Sequence, residues 1–159
     1  MEFGDPLQLI DTLISHDVPL VIIGGHAVTF HGHVRATEDS DVVFRRTDES
    51  EAALYDALVE LNAQWIGNQI DPQTGIEQTF HVSREYVHSS RLMMLITDCG
   101  FLDIFDYIPG FPAEDVDELF ASSVEADGRR FASLAWLRKM KQAAGRPKDH
   151  LDLENLPEV

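Results

Sequence analysis

Apolar and polar positions along this chain fall into two kinds of block. Apolar residues recurring every three or four positions predict helices, and short continuous or alternating runs predict strands. Asp5-Pro6 reads as an N-cap and first-turn proline, opening a helix with Leu7, Ile10 and Ile14 on one face. Pro19 precedes a short buried strand, Leu20–Ile23, and the pair Gly24-Gly25 turns it into a helix over 26–32. A strand is predicted over 41–45. Asp48 with Glu51 then resembles a capping box ahead of the apolar stripe Ala53, Leu54, Ala57, Leu58 and Leu61. The stretch GNQIDPQTGIEQ, 67–78, reads as a loop. Strands follow around 79–82, 91–97 and 101–108, the last two joined as a hairpin at Asp98-Cys99-Gly100. A short helix over 112–120 and a brief extended pair turning at Asp127-Gly128 come next. Two helices, Leu134–Ala144 and 147–156, close the chain on either side of Gly145. Helices mixed with a partly antiparallel sheet predict an α+β, layered α/β architecture: a mixed sheet flanked by helices, with a short C-terminal helical pair.

Size and composition fit one soluble globular domain. The chain has 159 residues, 44% hydrophobic and 25% charged. A core over about 1–111 and a helical part over about 112–159 are expected. No apolar run approaches the length of a membrane span, and no basic residue precedes the first apolar positions as in a signal peptide. Cys99 is the single cysteine, so no intrachain disulfide can form, and a reducing cytoplasm is the expected setting.

Charge changes the picture more. Twelve Lys and Arg face 28 Asp and Glu, a net of −16. A surface of that sign repels nucleic acid at long range. Seven of the twelve cations (Arg129, Arg130, Arg138, Lys139, Lys141, Arg146 and Lys148) nevertheless fall in the last 31 positions, an arrangement suited either to a solvated helix or to an anionic ligand.

The candidate chemistry lies in VIIGGHAVTFHGHVRATEDSDVVF, residues 21–44. Two glycines at a strand-to-helix turn let a backbone approach a ligand closely, and the free N–H groups there favour phosphate. Asp39 and Asp41 are two apart, which on a strand puts both carboxylates on one face, where oxygen ligands suit Mg²⁺. A phosphate cradle beside paired carboxylates fits metal-assisted phosphoryl or nucleotidyl transfer. No Walker A sequence and no spaced Rossmann glycine fingerprint is present. GFLDIFDYI supplies a third carboxylate, either Asp103 or Asp106. Their spacing of three puts them on opposite faces of a strand, and we favour Asp103, leaving Asp106 as a strand-end charge or salt-bridge partner. Arg35 is either a phosphate ligand or a salt-bridge partner of the aspartates. The histidines lack a helical His-x-x-x-His pair with a fitting acid. His31 is expected to hydrogen-bond to backbone near the motif loop.

Gly24-Gly25, His31-Gly32 and Arg35-x-Thr37-x-Asp39-x-Asp41 together resemble the signature of polymerase-beta-type nucleotidyltransferases, particularly the small bacterial group of AbiEii-like abortive-infection toxins. The tail LAWLRKMKQAAGRPKDHLDLENL is similar to that group's closing helices. The resemblance implies that Gly24 and Gly25 hold the triphosphate, with Arg35, Thr37, Arg146 and Lys148 as further nucleotide contacts. It implies that Asp39, Asp41 and Asp103 bind two Mg²⁺ ions, with Mn²⁺ as a substitute, that Lys141 contacts phosphate, and that Asp149 helps position the site. Gly25 departs from the serine that many members of the wider superfamily carry. The implied activity is transfer of a nucleoside monophosphate from a nucleoside triphosphate to an acceptor hydroxyl, on tRNA or another macromolecule such as protein, in a toxin–antitoxin-like setting. An antitoxin or a second copy would be the partner. Two other readings stand beside it: an enzyme acting on a small hydroxylated molecule of the antibiotic type, and a non-catalytic nucleotide-binding regulatory module.

Overall fold

The computed structural model describes residues 5–37 and 39–159. Among them, helices α1 (Pro6–Ser15), α2 (Gly24–Phe30), α3 (Asp48–Glu60), α4 (Arg84–Ser89), α5 (Val116–Ala121), α6 (Leu134–Ala144) and α7 (Pro147–Asn155) surround one mixed sheet. Its strands are β1 (Leu20–Ile23), β2 (Asp39–Phe44), β3 (Gln64–Ile70), β4 (Glu77–His81), β5 (Leu92–Thr97), β6 (Gly100–Phe105), β7 (Val124–Ala126) and β8 (Arg129–Phe131). Their order is β4-β3-β5-β6-β2-β1-β8-β7, with β2–β6 and β1–β8 parallel and the other pairs antiparallel. This is the predicted α+β architecture. No helix among the described residues is long and apolar enough to cross a membrane.

Each face of the sheet is buried by a different set of helices, which is why its central strands are apolar on both sides. On one face, Leu9, Ile10 and Leu13 of α1 and Leu54, Ala57 and Leu58 of α3 pack on Ile22, Phe44, Met93, Leu102 and Ile104. On the other, Leu119 and Phe120 of α5 and Met140 of α6 cover Val21, Ile23 and Val43. A third cluster joins Ala27 and Val28 of α2 to Leu137 and Leu156, tying the closing helices to the segment after the glycine pair.

The closing helices start and stop where their caps dictate. Ser133 accepts a hydrogen bond from the Trp136 N–H at the start of α6, Gly145 ends it in the left-handed region at φ 62°, and Pro147 opens α7. Other boundaries move. Helix α2 begins at Gly24 rather than 26, and β2 begins at Asp39 rather than 41, so both aspartates belong to the strand. The stretch 67–78, expected as a loop, is half ribbon: β3 and β4 pair antiparallel around a turn over 71–76. An edge ribbon with little burial on either side has no reason to show apolar alternation, and Asn68, Gln69 and Ile70 are all exposed. Helix α4 had no predicted counterpart. Strand β6 stops at Phe105, because the chain then turns through an Ile108–Phe111 bridge. Helix α5 starts at Val116 rather than 112, because Asp115 caps it through the Asp117 N–H. The extended pair expected around Asp127-Gly128 is present as β7 and β8, which join the main sheet at its edge.

Candidate active site

The parallel pairing of β2 with β6 decides which acids meet. Its register sets Asp41 opposite Asp103 and Asp39 opposite Phe101. Because alternate residues share a face, Asp39, Asp41 and Asp103 gather on the same side of the sheet. Burial, then the charges of Asp103 and Asp39, push the Asp41 carboxyl up to about 7, with Lys141 opposing. Burial and the charge of Asp39 likewise raise Asp103. The neighbouring Asp103 side chain raises Asp41 further, while Asp41 opposes the rise of Asp103, as expected of two carboxyls that titrate together. Asp106 points elsewhere: Arg46 Nε donates to it at 2.8 Å and Arg91 Nε at 3.0 Å.

Gly24 and Gly25 close in on this cluster from the end of β1. Gly24 has φ 68°, and a Cβ there would collide with the Asp41 carboxylate. A Cβ on Gly25 would lie 2.5 Å from Thr37 Oγ1 and 3.2 Å from Arg35 Nη1. Only glycine therefore fits at Gly24, a Cβ on Gly25 would likewise collide with Thr37, and both glycines present bare backbone to the same cavity. His31, at the far end of α2, has Nε2 2.8 Å from the Ala132 carbonyl, a backbone partner as expected.

The closing helices supply the opposite wall. Lys141 is buried, with Nζ 3.2 Å from Asp149 and 3.0 Å from Asp152. Arg146 Nε donates to Asp149 at 2.7 Å. Burial would raise the Asp149 carboxyl, but Arg146 and Lys141 outweigh it and hold it below the usual carboxylate range. Asp152 is lowered in the same way, its burial outweighed by Arg35 and Lys141. One cavity of about 440 Å³ is lined by Gly24, Gly25, Arg35, Thr37, Asp39, Asp41 and Asp103 on one side and by Lys141, Arg146, Lys148 and Asp149 on the other. Phe105, Pro109, Leu137, Met140 and Ala144 form its apolar part.

The residues fit a hard divalent cation by chemistry: clustered oxygen donors, partly buried, with more negative charge than their protein neighbours neutralise. Among the described residues no group of three His, Cys, Asp or Glu side chains makes a ready-made metal site.

No family model matches the chain, and no curated protein does. Solved structures give a different result. The chain is similar to the antibiotic-resistance factor ANT(2'')-Ia, with a TM-score of 0.55 and 19% identity over 93% of this chain and 80% of that one. It is also similar to an antigenic nucleotidyltransferase-like protein from Paracoccidioides brasiliensis, with a TM-score of 0.51 and 18% identity over 94% and 70% of the two chains. JHP933 from Helicobacter pylori has a TM-score of 0.50 and 15% identity over 97% and 67%. The fold is nucleotidyltransferase-like.

Within this nucleotidyltransferase-like fold, two readings left open are narrowed. The ion pair of Arg35 goes to Asp152 on α7, not to Asp39 or Asp41. The C-terminal cations do not form one surface. Arg129 is held by Asp11 and Arg130 by Glu125, Arg138 donates to the carbonyls of Leu153 and Pro157, and Lys139 lies over Trp136. Lys141, Arg146 and Lys148 are the members of that group that reach the cavity. Sequence reasoning passed over Asp152, which is buried at the centre of the ion-pair network. Its signal was its spacing: Asp149 and Asp152 are three apart on α7 and share a helix face.

Proposed function

We propose that the protein transfers a nucleoside monophosphate from a Mg²⁺-bound nucleoside triphosphate to an acceptor hydroxyl. The observation that carries this reading is the placement of three like-charged carboxylates, Asp39, Asp41 and Asp103, directly against a glycine cradle. Such a cluster is costly to keep and needs an oxygen-seeking cation to relieve it. Asp39, Asp41 and Asp103 would hold two Mg²⁺ ions, which supply neutralisation of charge on the entering and leaving oxygens of an in-line displacement.

The chain's own residues do the rest. The backbone at Gly24 and Gly25 receives the phosphates without a side chain intervening. Arg35, Lys141, Arg146 and Lys148 supply positive charge along the triphosphate, and pyrophosphate leaves toward the glycine turn. The apolar wall of Phe105, Leu137 and Met140 keeps water from the far side of the bound nucleotide. Asp103, whose carboxyl is raised by burial, accepts the proton of the acceptor hydroxyl at its carboxylate oxygen.

The acceptor reading that follows from the sequence is tRNA or another macromolecule, in a toxin–antitoxin-like system, with an antitoxin or a second copy as partner. One feature favours a small hydroxylated acceptor as a second reading. Strand β6, which carries Asp103, and its neighbour β5 have no Lys or Arg and present Leu92, Met94 and Phe101 partly exposed, a poor match to a phosphate backbone. ANT(2'')-Ia is itself an antibiotic-resistance factor of this fold.

The test is incubation with each α-labelled nucleoside triphosphate and Mg²⁺, in the presence of total RNA, cell protein or a panel of hydroxylated antibiotics. Label in one acceptor class, lost in Asp39→Asn, supports the reading and identifies the acceptor. Nucleotide binding without transfer to any acceptor favours the non-catalytic module instead.

A further inference from the structure

Asp152 holds a place that the chemistry above does not use. It is buried on α7, yet both its oxygens are engaged by groups from distant parts of the chain. Arg35 approaches edge-on, Nε 2.7 Å from Oδ1 and Nη2 2.9 Å from Oδ2, the two-point geometry that fixes a guanidinium in plane. Lys141 Nζ lies 3.0 Å from Oδ2, and His33 Nε2 stands 3.9 Å from Oδ1. The remaining nitrogen, Arg35 Nη1, donates to the Ala36 carbonyl at 3.1 Å, and Arg35 lines the same cavity as Gly25. Arg35 itself comes from irregular chain between α2 and β2, which has no ladder of its own to fix a side chain.

We infer that Asp152 is a positioning residue for triphosphate binding: it holds the Arg35 guanidinium against the cavity that Gly25 also lines and braces Lys141 beside it. This rests on the nucleotide-binding reading of the cavity. The sign of the effect separates positioning from simple charge. Asp152 is negative, so removing its charge makes the cavity more attractive to a polyanion. A role in charge alone therefore predicts tighter nucleotide binding in Asp152→Asn. A positioning role predicts weaker binding, because Arg35 swings free on a loop and must be ordered again by the ligand. Lys141 keeps its contact with Asp149 in that variant, so the loss falls mainly on Arg35.

The experiment measures the dissociation constant of Mg²⁺–ATP, and of the other three triphosphates, by titration calorimetry on the full chain, with thermal melts run alongside. Wild type is measured first; no binding of any triphosphate would sink the nucleotide reading itself. Given wild-type binding, Asp152→Asn is expected to bind about tenfold more weakly, the loss of one charge-assisted bond. Asp152→Glu, which restores the carboxylate, recovers part of the affinity. Arg35→Gln shows a similar loss, and the double variant Arg35→Gln/Asp152→Asn binds no more weakly than Arg35→Gln. Equal or tighter binding in a folded Asp152→Asn, or fully additive losses in the double variant, overturns the inference. If Asp152→Asn fails to fold, Arg35→Gln in the Asp152→Glu background carries the same cycle.

Discussion

Replacing Asp41 by Asn should make the metal-free protein more stable while destroying its proposed activity. The Asp41 carboxyl is pushed from 3.8 to about 7 by burial and by its two acidic neighbours. In the linkage relation a raised carboxyl contributes stability that is fully present below its ordinary value and is lost as pH rises through the folded value. Wild type therefore loses stability between about pH 4 and pH 7, and the neutral Asn does not. The difference of about three units, at about 1.4 kcal/mol each, sets a ceiling of about 4 kcal/mol for the gain at pH 8. Near pH 5.5 the same relation leaves about half of that. A gain of this size is large against the 5–15 kcal/mol typical of a whole domain. Urea unfolding at several pH values in the presence of EDTA reads it directly. The reasoning fails if Asp41→Asn is no more stable than wild type at pH 8, or if its advantage does not shrink as pH falls. If the proposed Mg²⁺ site exists, added Mg²⁺ should narrow the gap from the wild-type side, since the variant has lost one of the three carboxylates that would hold the ion.

Other perturbations probe separate parts of the molecule. Gly24→Ala should cost at least about 2 kcal/mol, from the positive φ and the collision with Asp41, and should abolish nucleotide binding; chemical denaturation and calorimetry check both. Lys141→Met leaves Asp149 and Asp152 buried with one cation fewer, so a loss of about 3–5 kcal/mol is expected in urea, easing in acid as those carboxyls protonate. Arg46→Ala removes a guanidinium that Asp106, Glu51 and the carbonyls of Val87 and Ser90 all engage. It should destabilise by about 3 kcal/mol yet leave triphosphate affinity unchanged, because none of those groups lines the cavity. Loss of binding in that variant would mean the two ion-pair networks are coupled.

What the sequence determined by itself is whatever the backbone reports within a few residues. The caps at Ser133, Gly145 and Pro147 bound the closing helices because each satisfies or ends a local hydrogen-bond pattern. The two-residue spacing of Asp39 and Asp41 put their carboxylates on one face, and the glycine pair marked where a strand must turn without side chains. The β3–β4 ribbon was illegible, since strands with little to bury leave no hydrophobic period to read. Only tertiary structure decided that Asp103 rather than Asp106 meets Asp41, because that choice is a matter of register between parallel strands far apart in the chain. It also gave Arg35 to Asp152 across a separation of 117 residues, and split the C-terminal cations between local ion pairs and the cavity. Local periodicity fixes which way a side chain faces; which other side chain it finds there depends on how distant segments pack, and no short window of sequence contains that information.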